Sequence, residues 1–433
     1  MSLTSNTLDD MCELIIDCPH FTPEWTTSGY LVIRNQNIRD GRLDLSERSY
    51  THLEDFERRI RRAKPQAGDI IFTREAPMGE VCLVPEGLEC CVGQRQVLLR
   101  PARNVDHRYL FYALRSPAVR HQILWNEGTG STVSNVRIPI LKAIKIPRLG
   151  EAEASIGEVL DNIDQKIELN RRMNETLEAM AQAIFRDWFV DFGPVRRKLE
   201  GATDPVAILG GLMPDPARAA EMAGLFPDGV GEDELPVGWK AGDFGDLATT
   251  AGESVDPTLL GEDTPYIGLE HMPRRSITLD SWDFAGKVSS QKSRFSSRQV
   301  LFGKLRPYFH KVGIAPVDGV CSTDIVVLDS RADFDRELVA CCASSDAFVA
   351  FTDMTSTGTK MPRTSWSHMK TYELAIADAP VRRAFSGLVR PMHQKIVASV
   401  AENRTLAETR DYLLPRLMSG DIRVTDASRE FAA

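Results

Sequence analysis

Positive charge is the chemistry that this chain concentrates. From Lys287 to Lys311 seven cations (Lys287, Lys292, Arg294, Arg298, Lys304, Arg306, Lys311) stand without one acid. Thr129–Arg148 holds Arg137, Lys142, Lys145 and Arg148, and Met354–Lys370 holds Lys360, Arg363 and Lys370, again with no acid. Arg58, Arg59, Arg61 and Arg62 form a tighter cluster. Cations so grouped can hold phosphates, because that attraction is local and is screened beyond about 10 Å. For any one run taken alone, a solvated face is the plainer reading.

Bond-making chemistry has no comparable signal. Cys12, Cys18 and His20 suggest a metal corner, but their spacing fits no zinc pattern. Cys90-Cys91 and Cys341-Cys342 are adjacent pairs, not C-x-x-C. Gly128-Thr129-Gly130-Ser131 lacks the lysine of a phosphate-cradling loop. There is no H-E-x-x-H, no G-x-S-x-G and no Asn-Pro-Pro-Tyr-type adenine methyltransferase motif. No catalytic residue and no metal site are assigned, which argues against a stand-alone nuclease or methyltransferase.

The chain has 433 residues, enough for about three folding units. Its net charge of −9 is unevenly divided. Residues 1–24 hold five acids and no Lys or Arg, and residues 200–234 hold eight acids against Arg218. An acidic total therefore leaves room for basic surfaces elsewhere. No run of about 18 apolar residues suggests a membrane span, and the start lacks the order of a signal peptide. Eight cysteines in so long a chain do not form a disulfide framework, so a cytoplasmic location is expected.

The elements that must position the cations come twice. Gly68-Asp69-Ile70-Ile71-Phe72 parallels Arg298-Gln299-Val300-Leu301-Phe302, each followed by a cation (Arg74, Lys304) and a proline (Pro77, Pro307). Cys91 lies opposite Cys321, Thr129-Gly130-Ser131 opposite Thr357-Gly358-Thr359, and Gln165-Lys166-Ile167 opposite Gln394-Lys395-Ile396. The offset stays near 229 for about 120 residues.

Each copy ends in a long helix. Ile156, Leu160, Ile163, Ile167, Asn170, Asn174, Leu177, Ala181, Ile184 and Trp188 step by four and three, as in a coiled-coil seam. Phe385, Val389, Met392, Ile396, Ser399, Asn403, Leu406, Arg410, Leu413 and Leu417 repeat those steps, with Arg410 as a misfit. The two stripes satisfy each other most economically. Asn174 and Asn403 occupy equivalent seam positions and are candidates to fix register. Trp188, on the seam, reads as core rather than as a base-stacking group. Short apolar runs such as Tyr30–Ile33, Val81–Val84 and Ile325–Leu328, with helical stretches at Arg108–Ser116 and Glu337–Ser344, indicate mixed α/β globular units.

Several segments together resemble the DNA-specificity subunit of type I restriction-modification systems. They are Asp164-Gln165-Lys166-Ile167, Trp188-Phe189-Val190-Asp191-Phe192-Gly193-Pro194-Val195, Leu235-Pro236-Val237-Gly238-Trp239 and Leu414-Pro415-Arg416-Leu417-Met418-Ser419-Gly420. Gly68-Asp69-Ile70 with Glu75-Ala76-Pro77-Met78-Gly79 adds to the likeness, which covers nearly the whole chain. The resemblance implies a pseudo-twofold mixed α/β protein in which two target-recognition domains are separated by two long antiparallel coiled-coil helices. On this sequence the domains are 1–150 and 235–380, and the helices 151–192 and 381–420. An acidic Gly/Pro-rich connector, 193–234, with one short helix near Ala217–Ala223, joins the halves, and 421–433 is a tail. It implies a non-catalytic subunit that reads a split site on double-stranded DNA. Two adenine methyltransferase subunits and restriction translocase-nuclease subunits are the implied partners. S-adenosylmethionine, ATP and Mg belong to those partners, with no cofactor on this chain. A helix of about 35 residues spans roughly 50 Å, near 15 base-pair steps. The competing reading is a coiled-coil scaffold that reads no DNA.

Arg and Lys reach guanine edges, whereas phosphate contacts position without specifying. Charge, loop context and repeat position select Arg74, Arg95 and Arg137 in the first domain, and Lys304, Arg306, Lys360 and Arg363 in the second. Arg58, Arg59, Arg61 and Arg62 are expected at phosphates.

Overall fold

The computed structural model describes residues 4–125, 135–287, 290–358 and 360–425. Two compact units divide it, Met1–Lys166 with Leu406–Ala433, and Ile167–Thr405. The division falls inside the two long helices, Ala152–Phe185 and Ala379–Ser419, so each unit holds one end of both.

In the first unit a four-stranded antiparallel sheet has the order Cys12–Asp17, Gln96–Pro101, Ile70–Thr73, Val81–Leu83. Ile70, Ile71 and Phe72 are all buried because both faces of their strand are covered. Ile70 and Phe72 point into a core with Leu110, Phe111 and Leu114 of helix His107–Arg115. Ile71, one residue out of phase, joins Ile33, Cys82, Cys90 and Leu98 on the opposite face. A small sheet there pairs Tyr30–Ile33 with Cys90–Val92 in parallel, Val32 opposite Cys91. Asp106 caps the helix by accepting from the backbone N–H of Arg108 and Tyr109.

The second unit repeats this plan. Its four-stranded sheet has the order Ala248–Thr250, Ile325–Ser330, Val300–Gly303, Val312–Ile314. Val300 and Phe302 join the helical core with Leu338 and Phe348. Leu301 faces Ile267, Cys321 and Val327. Pro265–Ile267 runs parallel to Gly319–Ser322, now within five strands rather than three. The Thr129-Gly130-Ser131 member of the repeat lies outside the described residues.

The helices pair within each unit. In the second, Asn170 Nδ2 donates to Asn403 Oδ1 at 2.8 Å, and the Trp188 and Phe385 rings lie 6.1 Å apart, which makes the pairing antiparallel. Asn403 therefore meets Asn170, not its repeat mate Asn174. Asn174 is buried with no hydrogen-bond partner, and the same register brings it level with Ser399, whose buried Oγ also has none. In the first unit the misfit Arg410 has a destination. Its Nη1 donates to Asp164 Oδ1 at 2.7 Å, while Arg115 Nη1 and the Tyr112 hydroxyl donate to Asp164 Oδ2 at 2.9 and 2.8 Å. Asp164, the acid of the Asp-Gln-Lys-Ile motif, thus ties both long helices to helix His107–Arg115.

Residues 193–234 are more ordered than a connector with one short helix. Helices Gly193–Leu199, Pro205–Ile208 and Pro216–Ala223 bury Val195, Ile208 and Ala219, and Phe226 follows the last of them, in the core that holds Trp188. Phe226 meets Trp188 edge-on at 4.9 Å, and Arg197 pairs with both oxygens of Asp187. The acids that mark the segment point outward; its apolar residues are too sparse to read as an element until the Trp188 core receives them.

Removing Asp164 leaves Arg115 and Arg410 facing each other half-buried. Asp164→Ala is expected to cost on the order of 2–4 kcal/mol in denaturant unfolding. Burial pushes the Asp164 carboxyl up, but Arg115 and Arg410, with the hydrogen bonds, outweigh it and hold it below the ordinary 3.8. A carboxyl depressed in the folded state stabilises above its unfolded value, and that stability is lost as pH falls through the folded value. The stability of Asp164→Asn is therefore expected to depend less on pH than the unaltered chain's below about pH 4.

Candidate nucleic-acid interface

The two basic clusters occupy the same place in the repeated plan, where the central strand of each four-stranded sheet ends. In the first unit Ile70–Thr73 runs into Arg74, whose N–H donates to Arg95 O at 2.8 Å and whose carbonyl accepts from Val136 N–H at 3.2 Å. Arg74, Arg95 and the stretch that leads into Arg137 therefore meet. In the second unit Val300–Gly303 runs into Lys304, whose carbonyl accepts from Thr364 N–H at 3.0 Å. Arg306 N–H donates to Pro362 O at 2.7 Å, and Thr357 and Arg363 exchange two backbone hydrogen bonds of 3.0 Å. This tight return holds Lys304, Arg306, Lys360 and Arg363 around one strand end.

The cations differ in what remains free. Arg74 is committed internally: Nη1 lies 2.7 Å from both Asp17 oxygens, Nε donates to Val136 O at 3.1 Å, and the side chain is 14% exposed. Arg95 takes a left-handed backbone (φ 66°), is 55% exposed and touches Glu75 at 3.4 Å. Arg137 and Lys360 are exposed. Arg363 is 52% exposed, 3.2 Å from Asp324. Arg306, also left-handed, has a buried Nε with no partner and lies over Phe309 at 5.9 Å.

The arginine cluster divides. Arg59 is only 3% exposed; its guanidinium donates to Val92 O and Phe21 O at 3.0 and 2.7 Å and covers the Phe21 ring. A side chain so enclosed does not reach a phosphate, which corrects the expectation for this residue. Arg58 also lies over Phe21 and pairs with Asp55, whereas Arg61 and Arg62 are exposed. Helix Leu53–Ile60 turns Arg59 inward and the rest outward, because a single helical turn separates buried from exposed faces.

Sequence reasoning missed the aromatic groups beside the cations. Trp25, 46% exposed, carries Arg34 over its ring at 5.1 Å. Arg274 lies over Phe309 at 4.4 Å, beside the exposed Tyr308. The stretch Arg306-Pro307-Tyr308-Phe309-His310-Lys311 carried the signal: aromatic residues interleaved with cations, as nucleic-acid surfaces use.

The cysteine positions are quiet. Burial pushes the Cys90, Cys91 and Cys321 thiols up to about 12, and Cys18 Sγ accepts from Arg95 N–H. Among the described residues no group of three or more His, Cys, Asp or Glu side chains is placed to hold a metal ion. No helix among them is long and apolar enough to cross a membrane.

Residues 4–179 match the family model for the type I restriction modification DNA specificity domain. The chain is 23% identical over 402 residues to the type I restriction enzyme MjaIX specificity subunit of Methanocaldococcus jannaschii, covering 88% of this chain and 86% of that protein. It is 26% identical over 403 residues to the HindI specificity subunit of Haemophilus influenzae, covering 82% and 86%. In fold it is similar to the crystal structure of the type I restriction-modification S subunit from M. genitalium, with TM-score 0.53, 15% identity and 96% of each chain covered. The class that the motifs implied stands. The chain is similar to specificity subunits of type I restriction-modification systems over most of its length.

Arg59→Ala would strip the partner from two enclosed carbonyls and is expected to cost on the order of 2–3 kcal/mol in unfolding experiments. Arg137→Ala and Lys360→Ala touch exposed groups and are expected to change stability by less than about 0.5 kcal/mol. A stability loss in the exposed pair equal to that of Arg59→Ala would place those side chains in the structural framework instead.

Proposed function

We propose that this chain is the non-catalytic DNA reader of its system, each globular half reading one half of a split double-stranded site. The observation that carries the proposal is the placement of a basic cluster at the same strand end in both halves. In this reading Arg95, Arg137, Lys304, Arg306, Lys360 and Arg363 face the DNA, and Arg58, Arg61 and Arg62 hold phosphates. Arg74 positions its neighbours through Asp17 and Val136. Guanidinium groups offer the paired donors that guanine edges accept, and the remaining cations supply salt-dependent affinity.

Residues 1–150 and 235–380 are the two target-recognition domains in this proposal. Helices 151–192 and 381–420 set the gap between half-sites and dock two adenine methyltransferase subunits, with Asn174 and Asn403 contributing to register. The near-duplicate plan supplies two similar faces, so one chain can hold two copies of a partner. Methyl transfer with S-adenosylmethionine, and ATP- and Mg-dependent translocation and cleavage, belong to the partner subunits. The assembly works in the cytoplasm.

Co-expression with the methyltransferase partner, followed by mapping of every methylated adenine in host DNA, tests this. The expected result is a motif of two short half-sites with a constant gap. Exchange of residues 235–380 for those of another such subunit is expected to change one half-site only. An assembled complex that methylates no motif beyond that of the methyltransferase alone overturns the proposal.

A further inference from the structure

The repeat is broken at one place. A pocket of about 280 Å³ opens in the second unit between the helix Ala379–Ser419 and the globular half, with Ile314, Ala340, Val397, Ala398 and Ala401 among its lining. At the equivalent first-copy positions, 229 residues earlier, Phe111 stands for Ala340, Leu169 for Ala398 and Arg172 for Ala401. Three large side chains of the first copy, of which only Phe111 is buried, are thus replaced by methyl groups around the pocket.

Its polar groups are also distinct. His393 replaces Asp164, and the partners that occupy Asp164 are gone: Cys341, Ser344 and Ala181 stand where the first copy has Tyr112, Arg115 and Arg410. His393, at the pocket wall, is 7% exposed and its Nε2 has no hydrogen-bond partner. Burial lowers its pKa to about 4 despite Glu337, so it is neutral at pH 7. Three guanidinium groups border the pocket. Arg390 pairs with Glu337 and Asp333 at 3.2 and 3.0 Å, and Arg336 with Asp333 at 3.1 Å. The second Glu337 oxygen accepts from Ser386 Oγ at 2.7 Å. Arg298 makes no ion pair among the described residues and reaches Asp333 only at longer range, so three guanidinium groups share the two carboxylates of Glu337 and Asp333.

We propose that this pocket binds a small apolar monoanion, an aromatic carboxylate, with Arg298 facing the charge and His393 offering a hydrogen bond. The space suffices, since an apolar cavity of about 150 Å³ already admits benzene. Apolar walls with a few converging polar groups are the usual make-up of such sites. The site is separate from the strand-end clusters and does not depend on DNA reading.

Titration of the full chain with 2-naphthoate, followed by calorimetry, tests the assignment. Saturable binding is expected, at least about tenfold tighter than that of neutral 2-naphthamide. Ala398→Leu with Ala401→Arg restores first-copy side chains at exposed positions that the fold tolerates. It is expected to weaken 2-naphthoate about tenfold or more. Arg298→Ala is expected to weaken the carboxylate and leave the amide unchanged. Absence of saturable binding, equal binding by the filled variant, or equal affinity for amide and carboxylate each overturns the proposal.

Discussion

The apolar stripe along each long helix is the constraint to which the rest of either unit answers. A stripe of Ile156 and Leu160, or of Phe385 and Val389, cannot remain in water, since each such side chain contributes roughly 1.5–3 kcal/mol when buried. In the first unit the stripe is closed by Leu413 and Leu417 and by the helix that carries Leu110 and Leu114. In the second it is closed by Trp188, Phe226 and the helix that carries Leu338. Once that helix is seated, the strand beneath it must present alternate residues to it. Ile70 and Phe72, or Val300 and Phe302, do so. Ile71 and Leu301 then need cover on the far side, and the small parallel-paired sheet provides it.

Duplication preserved this apolar scaffold and released the polar groups around it. Arg108 faces Asp161 in the first copy, whereas the equivalent Glu337 faces Arg390 in the second, so the charges are exchanged across the same contact. Asp164 holds three donors; its mate His393 has lost all three equivalents. Packing constrains volume at every buried position, but a charge pair is satisfied equally well in either sense. The strand-end clusters follow the same logic. Their placement follows the scaffold, and the side chains on it differ between the two copies.

The long helices, the strands and the repeat were legible in the sequence because they rest on local periodicity and on a constant offset. Steps of four and three mark a helical stripe whatever covers it, and an offset near 229 needs no coordinates. The cations were legible as groups for the same reason. The fate of each was not. Arg59 and Arg62 sit three residues apart on one basic run, and one is sealed against Phe21 while the other is exposed.

By itself, then, the sequence determined that two copies of one α/β plan each end in a long helix with an apolar stripe, and that basic loops recur at matching positions. Only the tertiary structure decided that Asn403 meets Asn170, that Arg410 is answered by Asp164, and that residues 193–234 fold onto Trp188. It also decided that three alanines leave a pocket beside His393. The physical reason is range. Secondary structure answers to neighbours within a few residues, whereas the partner of a charge, an amide or a cavity wall comes from segments hundreds of residues away. Asn170 and Asn403, 233 positions apart, are joined by one hydrogen bond that no local pattern contains.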